Sequence, residues 1–114
     1  MIINRFEEIL SWQKSKKLTE EIYRIFSFSK DYSFRDQIQR ASVSIMNNIA
    51  EGFERKGNKE FKNFLFISKG SCGEVRSMLL LGLELGYIPK DKINDLLFQT
   101  EEISKLLSGL IKTL

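Results

Sequence analysis

Three groups of residues in this 114-residue chain could do chemistry. Glu51, Glu54 and Glu74 could supply paired carboxylates for general acid/base work, which requires two such groups converging on a pocket with shifted pKa values. Nothing in their spacing shows convergence. The chain contains no His, so the Glu-x-x-His ligand pairs of four-helix di-metal sites cannot form, and a His/Cys zinc site is excluded as well. Gly70-Ser71-Cys72-Gly73 lacks the Gly-x-Ser-x-Gly order and the strand-to-helix setting of a nucleophile elbow. Lys69-Gly70-Ser71 reverses the order that a phosphate loop needs. These small residues are read as allowing two helices to approach closely in a crowded core. Cys72, on an apolar helix face with no His to activate it, is read as a buried, inert thiol. Ser27-Phe28-Ser29-Lys30 and Ser11-Trp12-Gln13-Lys14 match Ser-x-x-Lys, a chance pattern in a Lys-rich chain without its companion motifs. No catalytic residue, metal ligand or cofactor is assigned, and the chain is not expected to be an enzyme.

A second chemistry is binding. Lys and Arg total 18 against 15 Asp and Glu, a net charge of +3. The excess is mild, and its distribution matters more. Arg55, Lys56, Lys59, Lys62 and Lys69 face only Glu54 and Glu60 across residues 53–69, and Lys14, Lys16 and Lys17 meet no acid across 11–18. From Pro89 onward four basic residues balance four acidic ones. Arg40, Arg55, Lys56, Lys59 and Lys62 are the candidate nucleic-acid contacts, because guanidinium and ammonium groups pair with phosphate.

These residues must be positioned by helices. Between Gln37 and Gly52, apolar positions recur at Ile38, Ala41/Ser42, Ile45 and Ile49, continuing to Phe53, the period of one buried helix face. A polar line of Gln37, Arg40, Ser44, Asn47/Asn48, Glu51 and Arg55 runs along the same helix. Three readings of it stand: a solvated face; a packing network or subunit interface involving Gln37, Ser44, Asn48, Glu51 and Glu74; or a ligand-contact surface.

Four helical segments cover almost the whole of residues 1–114, which form one domain. The first spans about Arg5 to Phe26, with Ile9, Trp12, Thr19, Ile22/Tyr23 and Phe26 inward. Ser33 is the expected N-cap of the second, with Asp36 in the box position. The second ends near Lys56, closed by Gly57 in the left-handed region, and Asn58 caps the third. Gly86 terminates the third, and Pro89 occupies the first turn of the fourth. Short connections between long helices imply an all-α, antiparallel up-down-up-down four-helix bundle.

The third helix is apolar on more than one face: Phe66, Ile67, Leu80, Leu81 and Leu85 lie off its main stripe. A helix apolar nearly all round is buried nearly all round. Part of it, with Phe98 and Leu106 of the fourth, is therefore expected to pack against another copy of the chain. The single cysteine fits a reducing cytoplasm. No secretory leader is recognisable, and no apolar run approaches the ~20 residues of a membrane span. A soluble cytoplasmic protein is expected.

Trp12-Gln13-Lys14, Ile22-Tyr23, the Gln37-Ile38-x-Arg40-Ala41-x-Val43-Ser44-Ile45-x-x-Asn48-Ile49-Ala50-Glu51-Gly52 block, Glu60-Phe61-x-x-Phe64-Leu65, Lys69-Gly70-Ser71, Glu74 and Leu85-Gly86-Tyr87 resemble one family. It is that of the bacterial four-helix-bundle proteins encoded in intervening sequences of large-subunit ribosomal RNA genes. The resemblance covers about residues 10–88 in register; the fourth helix matches by pattern only. It implies a ring-shaped homopentamer, and kinship with the accessory proteins of diversity-generating retroelements. Those are basic pentamers that bind nucleic acid and associate with a reverse transcriptase. RNA or DNA, or an enzyme acting on it, is the implied partner, and a purely structural protein-interaction module is the alternative. The resemblance carries over no catalytic residue. Met46-Asn47 stands where the family usually has Pro-Ser, Ser29 where it has Pro in the first loop, and Cys72-Gly73 where it has a more apolar pair.

Overall fold

The computed structural model describes residues 2–114, which form four helices and no strand. Helix α1 is Leu10–Phe26, α2 Tyr32–Glu54, α3 Gly57–Glu84 and α4 Lys90–Lys112. Contacts run α1 to α2, α2 to α3, α3 to α4 and α4 back to α1, whereas α1 and α3 do not touch. The helices thus enclose one core, with α1 and α3 on a diagonal.

The first helix starts later than its apolar pattern indicates. Phe6–Glu8 form a single 3-10 turn, and Ile9 is extended before α1 begins. The kink is held from both sides. Gln13 Nε2 donates to the Glu7 carbonyl at 2.7 Å, and the Phe6 ring meets Trp12 edge-on at 5.3 Å.

Inside α1 the buried stripe is Ser11, Ser15, Leu18, Thr19, Ile22 and Phe26. Tyr23, expected inward, is exposed. The stripe was masked because two of its members are serines. Ser15 Oγ donates to the Ser11 carbonyl at 2.6 Å, and Thr19 Oγ1 to the carbonyls of Ser15 at 2.8 Å and Ser42 at 3.1 Å. A hydroxyl satisfied by the carbonyl one turn back is buried at little cost.

Asp31, not Ser33, caps α2: its Oδ1 accepts the Phe34 N–H at 3.1 Å. Glu54 ends α2, and Arg55 and Lys56 pass in extended conformation to Gly57, which opens α3 at φ 83°. Lys56 occupies the N-cap position of α3 without a side-chain capping bond, and Asn58 lies inside the helix. Gly86 takes φ 74° directly after α3, as its position after the apolar run predicts. Pro89 is the N-cap of α4, one residue before the first turn.

The core is continuous from end to end. Leu18, Ile22, Ile38, Ile45, Ile49, Leu65, Val75, Leu79, Leu96, Ile103 and Leu107 are fully buried, each worth about 1.5–3 kcal/mol of transfer free energy. Helices α2 and α3 approach closely at Gly52, where an added Cβ would stand 2.6 Å from Phe64 Cβ. Gly70 and Gly73 differ from the sequence reading. They lie on the outward side of α3, and a Cβ at either meets nothing within 4 Å. Only Ser71 and Cys72 between them turn toward neighbouring helices.

Candidate functional site

The polar line on α2 meets α3 along a seam. Ser44 Oγ and Ser71 Oγ stand 2.8 Å apart, and Asn48 Nδ2 donates to both the Ser44 carbonyl at 2.8 Å and Ser44 Oγ at 2.9 Å. One end of the seam is closed by Gln37 Nε2 donating to Glu74 Oε2 at 3.3 Å. The other holds the Glu51 carboxylate, which accepts from Arg55 at 2.8 Å. Beneath it, Ser68 Oγ donates to the Ile45 carbonyl at 2.7 Å. The Ser44–Ser71, Gln37–Glu74 and Ser68–Ile45 bonds join α2 to α3, whereas the Asn48–Ser44 and Arg55–Glu51 bonds connect positions one helical turn apart.

Arg40 is outside this seam. It is exposed and forms no ion pair among the described residues.

The carboxylates do not assemble a catalytic pair. Glu74 bonds Gln37, and Gln37 and Glu51 are separated by about 21 Å along α2 at 1.5 Å per residue. Glu51 is neutralised by Arg55, and Glu54 is exposed. Among the described residues no three His, Cys, Asp or Glu side chains are grouped to hold a metal ion. Cys72 is buried, with its Sγ 3.2 Å from the Thr100 carbonyl, and burial pushes its thiol up to about 11. It is therefore protonated across the physiological range.

The basic candidates divide by environment. Arg55 is engaged within the chain: it pairs with Glu51, and its guanidinium lies over the Phe64 ring, 5.0 Å from the centroid. The Glu51 hydrogen bond raises its pKa further. Lys56, Lys59 and Lys62 follow at the start of α3, and none forms an ion pair among the described residues. Arg40 lies about 22 Å along α2 from Arg55, so the five do not form one patch.

Sequence reasoning missed the Phe64 platform under Arg55, and missed Asp31, which accepts the Tyr87 hydroxyl at 2.7 Å besides capping α2. Asp31 stands three residues before Phe34, a signal for an N-cap as good as that of Ser33. The off-stripe apolar residues of α3 are all in solvent on the single chain: Phe66, Ile67, Leu80, Leu81 and Leu85 are 44–55% exposed. Phe98 is exposed on α4, and Leu106 is half-buried. No helix is long and apolar enough to cross a membrane among the described residues.

Fold and surface together define a small all-α, four-helix protein with a polar inter-helix seam, a lysine-bearing turn and a large exposed apolar face. Residues 7–109 match the family of 23S rRNA-intervening sequence proteins, and the chain belongs to that family. Among solved structures it is similar to a protein of unknown function from the S23 ribosomal protein family of Bacteroides thetaiotaomicron. The two are 26% identical with a TM-score of 0.83, over 90% of this chain and 96% of the other. No curated protein matches the chain.

Proposed function

We propose that this chain is a non-enzymatic, self-associating module: an antiparallel up-down-up-down bundle that contacts nucleic acid through the lysines around the α2–α3 turn. The observation that carries the reading is the division among its cations. Arg55 is spent on Glu51 and Phe64, whereas Lys56, Lys59, Lys62 and Arg40 form no ion pair among the described residues. Three lysines within one helical turn or two are a modest charge. Repeated around a symmetric ring they become a field strong enough to hold a phosphate backbone.

The exposed apolar face of α3 supports the self-association that this requires. An apolar patch of this kind is covered in a protein that stays dispersed. A pentamer is the ring that the family resemblance implies, and the single, protonated Cys72 fits a reducing cytoplasm. The non-enzymatic reading rests on the separation of Glu51 from Glu74. Turnover abolished by Glu51→Gln in a folded protein would overturn it.

Light scattering and fluorescence anisotropy with labelled RNA and DNA test the proposal. Its expected result is an assembly well above 13.3 kDa whose affinity falls linearly with log salt, by about 0.9 per phosphate neutralised on duplex DNA. Absence of binding at low salt by an intact assembly would leave a protein-interaction module in its place.

A further inference from the structure

The cations of α3 continue beyond its first turns. Lys59, Lys62, Phe66, Lys69, Gly73 and Arg76 follow one another in alternating steps of three and four residues. Such steps keep to one side of an α-helix, here over about 26 Å. The buried stripe of Leu65, Cys72 and Leu79 precedes Phe66, Gly73 and Leu80 by one residue, hence by about 100°. Ile67 and Leu81 follow by one residue, about 100° the other way. The exposed apolar residues of α3 are thus of two kinds. Ile67, Leu81 and Leu85 lie away from the cations, whereas Phe66 is set among them.

Helix α4 forms a second wall beside this stripe. A cleft of about 420 Å³ is bordered by Lys69, Gly73 and Arg76 on one side and by Glu101, Ser104 and Lys105 on the other. It is open at Gly73, where a Cβ would meet nothing within 4 Å. Glu101 is the only acid among its lining residues, and Arg76 pairs with it at 2.7 Å. Lys69 and Lys105 form no ion pair among the described residues, and neither do Lys59 and Lys62. Positive charge from two helices therefore faces one groove without an acid left free in its lining, an arrangement that attracts a polyanion.

Phe66 decides which polyanion. Its ring is 55% exposed, with Lys62 one turn before it and Lys69 one turn after. A duplex covers the faces of its bases with neighbouring bases and has nothing to lay on an aromatic ring. A single strand offers open base faces, and losing one base–aromatic stack costs about 5- to 150-fold in affinity. Cations that track a backbone with an aromatic platform between them are the elements of single-strand binding.

We propose that this stripe and the adjoining α3/α4 cleft hold a single-stranded nucleic acid, with a base stacked on Phe66 and phosphates beside Lys62, Lys69 and Lys105. The inference rests on the nucleic-acid contact proposed above, and adds the strandedness of the ligand and the residue that selects it. Ile67, Leu81 and Leu85 remain available for self-association.

Fluorescence anisotropy with a labelled oligothymidylate and a labelled duplex of equal length, at one salt concentration, tests it. The unaltered protein is expected to bind the single strand more tightly. Phe66 is exposed, so circular dichroism should report native helix content for its variants. Phe66→Ala and Phe66→Leu are expected to weaken single-strand binding about 5- to 150-fold and to leave duplex binding unchanged. Phe66→Trp should retain single-strand affinity, which separates stacking from apolar contact. Lys69→Gln/Lys105→Gln should reduce the salt slope on the single strand by about 1.4; an unchanged slope would overturn the part given to the cleft. If Phe66→Ala binds oligothymidylate as the unaltered chain does, no base stacks there and the assignment falls, while nucleic-acid contact stands. Equal weakening of both ligands would overturn it too, making Phe66 an assembly contact. If neither ligand binds at low salt, the reading beneath it falls as well.

Discussion

The Tyr87 hydroxyl donates to Asp31 Oδ2 at 2.7 Å, while the other oxygen of the same carboxylate caps α2 through the Phe34 N–H. One side chain thereby ties the start of α2 to the turn between α3 and α4, 56 positions away. Phe34 completes the joint, with its ring 5.6 Å from that of Phe26 and 5.2 Å from that of Tyr87. Gly82 leaves room for it, since a Cβ there would stand 3.1 Å from Phe34 Cζ.

This pair makes stability depend on pH at both extremes. The Tyr87 hydrogen bond, and after it the Phe34 N–H, hold the Asp31 carboxyl below its ordinary value. Its contribution is therefore present above the unfolded carboxylate pKa of about 3.9 and lost as pH falls through the lower folded value. The same bond to Asp31 raises the Tyr87 phenol. That contribution is full below about 10 and lost as pH rises through the elevated folded value. Tyr87→Phe should lower the urea midpoint across the range from roughly pH 4 to 10, with the gap to the unaltered protein closing on either side. A gap of constant size at all pH values would show that the bond contributes nothing.

Glycine substitutions should separate tight from open positions. A Cβ at Gly52 meets Phe64 Cβ, an atom fixed to the α3 backbone, so the two helices must move apart to admit it. Gly52→Ala should cost about 1–3 kcal/mol, the usual range for overpacking. Gly73→Ala meets nothing, and in dilute protein should gain up to ~1 kcal/mol from helix propensity alone. Guanidinium unfolding of the two variants checks the signs; equal shifts would contradict the geometry.

The extent of sequence legibility follows from the same contacts. Ile38, Ile45, Leu65, Leu79, Leu96 and Ile103 repeat at helical spacing and are all fully buried, because water exclusion acts on each residue according to its own helix face. Ser11 and Ser15 were not legible as core: their burial depends on helical carbonyls and close neighbours that a hydropathy pattern does not encode. The α2/α3 seam was half visible. The polar line of Gln37, Ser44 and Asn48 is periodic, but its meeting with Ser71 and Glu74 is a matter of how two helices are rotated. Gly70 and Gly73 were misread for that reason too, since small residues look alike whether they face a neighbour or open space.

Thiol chemistry offers a sharp check on the core beside Thr100. Burial lifts Cys72 to about 11, so at pH 8 its thiolate is a few hundredfold scarcer than that of a free thiol near 8.5. The reagent must also reach a buried sulfur. Native protein should resist dithiobis-nitrobenzoate and react fully once unfolded in guanidinium. Rapid stoichiometric labelling of the native protein would mean that the contact between α3 and α4 opens readily.

Charge reversal at the α2–α3 turn tests the binding surface without disturbing the fold. Lys56 and Lys59 are exposed, form no ion pair among the described residues and flank the first turn of α3. An acid at that end of a helix is favoured by the helix dipole. Lys56→Glu/Lys59→Glu should therefore leave unfolding free energy within about 0.5 kcal/mol. If each lysine neutralises one phosphate, the slope of log affinity against log salt on duplex DNA should shrink by roughly 2. Arg55→Gln should behave in the reverse way: it frees Glu51 and uncovers Phe64, so it should lower thermal stability while changing the slope less than the lysine pair does. Equal slopes for the double lysine variant and the unaltered protein would remove the turn from the interface, leaving Arg40 and Lys62 as the positions to reverse next.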